Sequence, residues 1–236
     1  MTALTITGIE GIPEIRPGDT VGELLAAAAA AQGLPLETAD CLVVTQKVVS
    51  KAEGRLVPLA HDDFAGRRAL IEAEAARVLR RRDELMITET AHGFVCANAG
   101  VDLSNVDDGV AALLPKDGDT SAHRIRNAVK ASAGVDVAVV VSDTFGRAWR
   151  HGLTDVAIGV AGLAAVLNLR GERDSRGQEL RVTEIALADE VAGAAELVMG
   201  KARGIPAALL RGLDPSWFRD GSVRELVRPA SEDLFR

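Results

Sequence analysis

The sequence predicts an α+β fold in which mixed sheets are flanked by helices. Short, β-branched apolar runs at 40–44, 135–141 and 205–210 read as buried strands. Ala-rich and amphipathic stretches read as helices, and the two kinds alternate irregularly, with hairpin-like turns between them. A doubly wound parallel sheet would alternate strand and helix regularly. With 236 residues and 47% hydrophobic content, the chain can bury a substantial core as one large domain or two closely joined lobes. No repeat or low-complexity linker divides it, so residues 1–236 read as a single domain. Only 3% of residues are aromatic and none is Tyr, so Ala, Val, Leu and Ile must fill the core.

Taken in order, residues 4–7 form a strand, and the turn Pro17-Gly18-Asp19 leads into an Ala-rich helix. Thr20 can cap that helix, which ends near Gly33. A buried strand spans 40–44, and Thr45-Gln46-Lys47 leaves it. Residues 62–82 read as one charged amphipathic helix whose Arg80-Arg81-Arg82 run suits a negative helix end. A strand at 86–90 leads into a stretch rich in Gly and small polar residues at 92–105. A loop at 114–119 precedes a helix over 121–131, begun by Thr120 or Ser121. The apolar run from Val135 reads as a strand that stops at Ser142-Asp143-Thr144, with Gly146 turning the chain and Arg147 and Arg150 in the loop that follows. The small residues of 158–164 allow close backbone packing. Thr183 caps a last helix that Gly200 closes, and 205–210 is the final buried strand.

Composition excludes several functions. The 34 acids against 27 bases give a net charge of −7, which argues against non-specific nucleic-acid binding. The longest apolar stretch, 24–31, is too short to span a bilayer, and the N-terminus lacks signal-peptide features, so a cytoplasmic protein is expected. Cys41 and Cys96 are too few for a disulfide framework and sit in apolar surroundings, as small core residues do. The four histidines show no zinc-ligand spacing. Neither a P-loop nor a Gly-x-Gly-x-x-Gly fingerprint is present: Gly200-Lys201 is followed by Ala202, and Ala195 stands where the first P-loop Gly belongs.

What remains is a set of oxygen and basic groups at strand ends. Asp143 and Thr144, with Arg147 and Arg150 nearby, combine metal-type oxygen ligands with guanidinium forks for an anion. Asp102 and Asn105 offer a second carboxylate and an amide three residues apart. Two carboxylates from separate strand ends suit one or two Mg²⁺ or Mn²⁺ ions bridging phosphate oxygens, and Lys51 or Lys47 can neutralise phosphate charge. The plainer readings are a solvated strand-end Asp143, an Asx-turn at Asp102 and a surface Lys47. No Ser/His/Asp or Cys/His arrangement supports a covalent nucleophile.

At these residues the sequence resembles the coenzyme F420-0:L-glutamate ligases, or γ-glutamyl ligases. The resemblance rests on Gly11-Ile-Pro-Glu-Ile15, the run from Val43 to Arg55, the stretch from Asn98 to Val106, Ser142-Asp-Thr-Phe-Gly-Arg-Ala-Trp-Arg150, Asp155-Val-Ala-Ile-Gly-Val-Ala-Gly162 and Met199-Gly-Lys201. It implies the fold of that ligase family, a homodimer, and GTP-dependent attachment of L-glutamate to the deazaflavin precursor F420-0 through an acyl phosphate. GDP and phosphate are released, and related enzymes add further glutamates by γ-linkage. By the same resemblance, Ile12, Pro13, Glu14, Ile15, Thr45, Gln46, Lys51 and Asn105 match nucleotide-binding positions. Asp102 and Asp143 match ligands of one metal, and Thr144 matches a ligand of a second. Two Mg²⁺ or Mn²⁺ ions per site are implied, with K⁺ as a further candidate ion. Arg147 and Arg150 are candidates for the coenzyme phosphodiester or the incoming glutamate. Lys201 stands where archaeal relatives tend to carry Gln, and His151 where Asn is common. Some relatives carry a C-terminal flavin-binding domain, so the chain reads either as free-standing or as the ligase part of such a fusion. Two alternatives use the same residues: a metal-dependent nucleotide phosphohydrolase, and a non-catalytic coenzyme- or nucleotide-binding protein.

Overall fold

A computed structural model describes residues 3–234. Its strands are β1 (Thr5–Gly8), β2 (Cys41–Thr45), β3 (Leu56–Pro58), β4 (Ala75–Arg82), β5 (Leu85–Thr90), β6 (Val95–Ala97), β7 (Val110–Ala112), β8 (Ala138–Arg147), β9 (Arg150–Ala161), β10 (Leu167–Asn168), β11 (Glu184–Ile185) and β12 (Ala207–Arg211). Its α-helices are α1 (Val21–Ala31), α2 (Gln46–Ala52), α3 (Phe64–Glu74), α4 (Gly118–Ala133) and α5 (Leu187–Met199). The predicted α+β class with mixed sheets and flanking helices is what the chain adopts.

A five-stranded sheet in the order β1-β12-β2-β8-β9 forms the centre. Only β2 and β8 run parallel, and the other pairs are antiparallel. Side chains alternate across such a sheet, so its apolar strands feed two cores. Leu42, Val44, Val139 and Val141 pack under α1 and α4, while Cys41, Val43, Ala138 and Val140 pack under α5. Burial on both faces explains why these strands read as continuous apolar runs. The layers approach closely: a Cβ on Gly118 would stand 1.9 Å from the Ile158 carbonyl oxygen, so only Gly lets the start of α4 meet β9. A third, smaller core gathers Ile71 of α3, Met86 of β5, Ala111 of β7 and their neighbours beside the β4-β5-β6 and β3-β7 sheets.

Four local expectations are corrected. Residues 62–82 are not one helix: Asp63 caps α3 by accepting a 2.8 Å hydrogen bond from the Gly66 amide, and the chain turns extended at Ala75. Pairing with β5 then takes the Arg80-Arg81-Arg82 run into a strand, because ladder hydrogen bonds and the partly buried Val78 outweigh helix propensity. Helix α4 starts three residues early because Asp117, rather than Thr120 or Ser121, is its cap. Thr183 does not cap α5, since Glu184 and Ile185 pair with β10 before the helix begins. Strand β8 does not stop at Ser142 but continues to Arg147 as one arm of a hairpin with β9, whose tight turn carries Trp149 at φ 59°.

Candidate active site

The register of the central sheet assembles the site. In the parallel pair Thr45 lies opposite Ser142, after which β2 ends and β8 runs on with an open edge. That juxtaposition sets Gln46 and Lys47 beside Asp143 and Thr144. The Thr45 amide donates to the Pro206 carbonyl at 3.0 Å, which adds the segment after α5 as a third wall. Across the hairpin Thr144 pairs with Asp155, just beyond a bulge at which Ile158 of β9 has no opposite number.

A cavity of about 410 Å³ opens at this point. All eight residues expected to bind nucleotide line it: Ile12 to Ile15, Thr45, Gln46, Lys51 and Asn105. Asp143 and Thr144 line it too, and Asp102 reaches it through Lys47. Asn105 is held at φ 53°, a left-handed conformation that Asn tolerates better than most residues. Arg147 and Arg150 are not brought in; they are exposed at the hairpin tip, where the continued strand carries them away. A larger cavity of about 510 Å³ between α1, α2 and α4 contains none of the expected residues.

The sheet alternation gives the site two sides. On one, Lys47 Nζ lies 2.6 Å from Asp102 Oδ2, and the Ser104 amide donates to Asp102 Oδ1 at 2.7 Å. Burial pushes the Asp102 carboxyl up, but Lys47 and Ser104 outweigh it and hold it below its ordinary range. Asp143 faces the same side without a cation in direct contact. Burial pushes it up to about 6, against the Thr144 amide that donates to it at 2.9 Å and the charge of Lys47. Its negative neighbour Asp102 adds to the rise.

On the other side Asp155, 3% exposed, accepts from the Ser142 hydroxyl at 2.9 Å and the Thr144 hydroxyl at 2.7 Å. Lys201 Nζ donates to Thr144 Oγ1 at 3.0 Å. Glu196 lines this side as well; its carboxyl is raised by burial and then by the nearby Asp155.

Two further groups mark the side of the cavity lined by residues 12–15. Lys51 is paired with Glu14, which ties α2 to the Ile12–Ile15 segment across the cavity. Gln46 is 1% exposed; its amide nitrogen donates to Ser50 Oγ at 2.6 Å and to the Leu113 carbonyl at 2.8 Å. Its Oε1 is buried without a hydrogen-bond partner. A buried acceptor left unpaired is costly, so it marks a place where a ligand N–H or O–H would be favoured.

The donor set fits a hard divalent cation at Asp102 and Asp143. The desolvated Asp143 carboxylate has no direct counter-ion, and a cation would relieve it. Among the described residues no group of three or more His, Cys, Asp or Glu side chains is arranged to hold a metal. Such a site suits Mg²⁺ or Mn²⁺, which take one or two carboxylates and complete their shell with water and phosphate oxygens.

Reading the residues alone missed Asp155, and it favoured a surface position for Lys47. Lys47 is instead only 15% exposed. The signal for Asp155 was its pairing with Thr144, which becomes visible only when β8 is continued past Ser142. Phe94 and Phe145 are engaged with each other edge to face at 6.2 Å, and Phe94 stacks on His92 at 5.4 Å.

Comparison with known proteins places this cavity in context. The sequence profile described as F420-0:Gamma-glutamyl ligase matches residues 9–212. The Coenzyme F420:L-glutamate ligase of Methanothermobacter thermautotrophicus is 42% identical over 249 aligned positions, covering 99% of each chain. That of Methanopyrus kandleri is 41% identical and covers all of both chains. The Methanocaldococcus jannaschii protein of the same name is 39% identical over 86% of each chain.

Proposed function

Because the chain belongs to the F420-0:gamma-glutamyl ligase family, we propose that it joins L-glutamate to the deazaflavin precursor F420-0 with cleavage of GTP. An oxygen of the F420-0 carboxylate attacks the γ-phosphorus, the bond to the bridging oxygen breaks, and GDP leaves an acyl phosphate behind. The glutamate amine then attacks the acyl carbon and loses a proton. Phosphate departs with one oxygen of the original carboxylate. The same cycle on a glutamyl carboxylate would extend the product by γ-linkage.

The observation that carries this reading is convergence. Four separated parts of the chain, at 12–15, 45–51, 105 and 143–144, line one cavity with cationic, amide and carboxylate groups of the kinds a nucleoside triphosphate requires. Lys51 binds phosphate and trades its Glu14 partner for the ligand. Gln46 Oε1 accepts a donor of the ligand, and the segment Ile12–Ile15 walls the site from water. Asp102 and Asp143 would hold a Mg²⁺ or Mn²⁺ ion, which when bound neutralises phosphate charge. Positioning and electrostatics suffice for such a transfer without a protein nucleophile. Homodimer assembly belongs to the same proposal, and sedimentation velocity checks it.

The test is incubation of the chain with F420-0, L-glutamate, GTP and Mn²⁺, following product mass and phosphate together. A product heavier by one or more glutamyl units, with phosphate released in step, supports the ligase. GTP cleavage without glutamylated product would favour a phosphohydrolase.

A further inference from the structure

Resting on the ligase reading, we propose that Lys201 takes the place of the second divalent cation expected at Thr144, so that each chain binds one Mg²⁺ or Mn²⁺ rather than two. A hydroxyl has one proton and two lone pairs. The Thr144 proton is directed to Asp155 Oδ1 at 2.7 Å, and the Lys201 ammonium already donates to the Thr144 oxygen at 3.0 Å. A divalent ion on that oxygen would have to share it with a positive charge a few ångströms away, and the two like charges would repel.

The carboxylate oxygens of Asp155 are committed as well. Both accept hydroxyl protons, one from Ser142 and one from Thr144. On the Asp102 and Asp143 side Lys47 pairs with Asp102 at 2.6 Å, but Asp143 is a full carboxylate with no ammonium in direct contact, and it is this group that an ion would relieve.

Lys201 is also placed rather than merely near. It follows α5 directly, where Gly200 ends the helix at φ 60°. A cation just beyond a helix C-terminus is favoured by the carbonyls there. Its ammonium therefore supplies a single positive charge at Thr144 that also reaches Asp143, which with Asp102 would hold the one ion. The second ion does not fit the residues present, and no step of the reaction is assigned to it.

The experiment counts metal. The full chain, saturated with guanosine 5′-(β,γ-imido)triphosphate, is dialysed to equilibrium against Mn²⁺, and bound Mn²⁺ is measured with its electron paramagnetic resonance spectrum. The expected result is one Mn²⁺ per chain with no spin–spin coupling in the wild type, rising to two coupled ions in Lys201→Gln. Lys201→Met, which keeps length but removes charge, guards against a folding artefact at this exposed position. Two ions in the wild type would overturn the proposal while leaving the ligase reading intact. One ion in the wild type and in both variants would overturn the role of Lys201. No bound Mn²⁺ in any of them would overturn the metal part of the ligase reading, and the inference with it.

Discussion

At Asp143 burial works against ionisation, and a metal ion or a proton can relieve it. The ordinary carboxyl value near 3.8 rises to about 6 in the folded chain. Between those values the metal-free folded protein keeps a proton that the unfolded chain releases, so stability falls as pH rises through that window and levels off above it. The loss is at most about 3 kcal/mol, from about 1.4 kcal/mol per pKa unit. Urea midpoints measured in chelator from pH 4 to 7.5 should fall for the wild type and stay flatter for Asp143→Asn; parallel profiles would contradict the account. Lys51→Ala should weaken GTP binding roughly tenfold or more, since charge-assisted hydrogen bonds contribute about 1.5–3 kcal/mol. Calorimetry showing unchanged affinity would remove Lys51 from the phosphate site. Asp155→Asn leaves one of two hydroxyl protons without an acceptor and turns Thr144. The turnover number should drop about tenfold or more, as the loss of a charge-assisted hydrogen bond of about 1.5–3 kcal/mol implies. A fall in melting temperature with unaltered kinetics would make Asp155 structural only. Much of the candidate site was legible at this scale: Lys51, Asp102, Asp143 and Thr144 stand in short runs whose chemistry reads locally, whereas Gln46 was marked only by the family resemblance. Asp155 and Lys201 act through partners that are distant in sequence, and no local pattern announces such pairings.

Elements decide which of those residues meet. The β2–β8 register sets Thr45 level with Ser142, and the longer β8 leaves an edge where the cavity opens. Close packing of α4 on β9 fixes the bulge at Ile158 beside that edge. Gly118→Ala would put a Cβ into the Ile158 carbonyl and should destabilise the fold by about 1–3 kcal/mol, as overpacking does. Denaturant midpoints check this, and a wild-type midpoint would show that the helix can shift freely. The buried strands and the Ala-rich helix α1 were readable because periodicity and apolar runs are local signals. The break between α3 and β4 was not, because the partner strand β5 sets it and the charged run 75–82 has no strand pattern of its own. The end of β8 is hidden for a related reason: Ser142 to Arg147 carry a single large apolar residue, Phe145, and no strand pattern, yet the antiparallel partner β9 holds them extended.

For the whole molecule, a central sheet buried under α1 and α4 on one face and α5 on the other holds a cavity where its only parallel pair ends. The fold class followed from the irregular alternation of strand and helix signals, whereas sheet order and lobe geometry depend on long-range pairing that composition does not encode. The central claim is that this cavity couples GTP cleavage to activation of a carboxylate. The direct measurement uses F420-0 labelled with ¹⁸O in its terminal carboxylate, with L-glutamate, GTP and Mn²⁺, and analyses the phosphate released. One ¹⁸O in each phosphate formed from labelled carboxylate is the predicted result, because the acyl phosphate hands that oxygen over when the amine displaces it. Phosphate free of label, released alongside glutamylated product, would contradict the account.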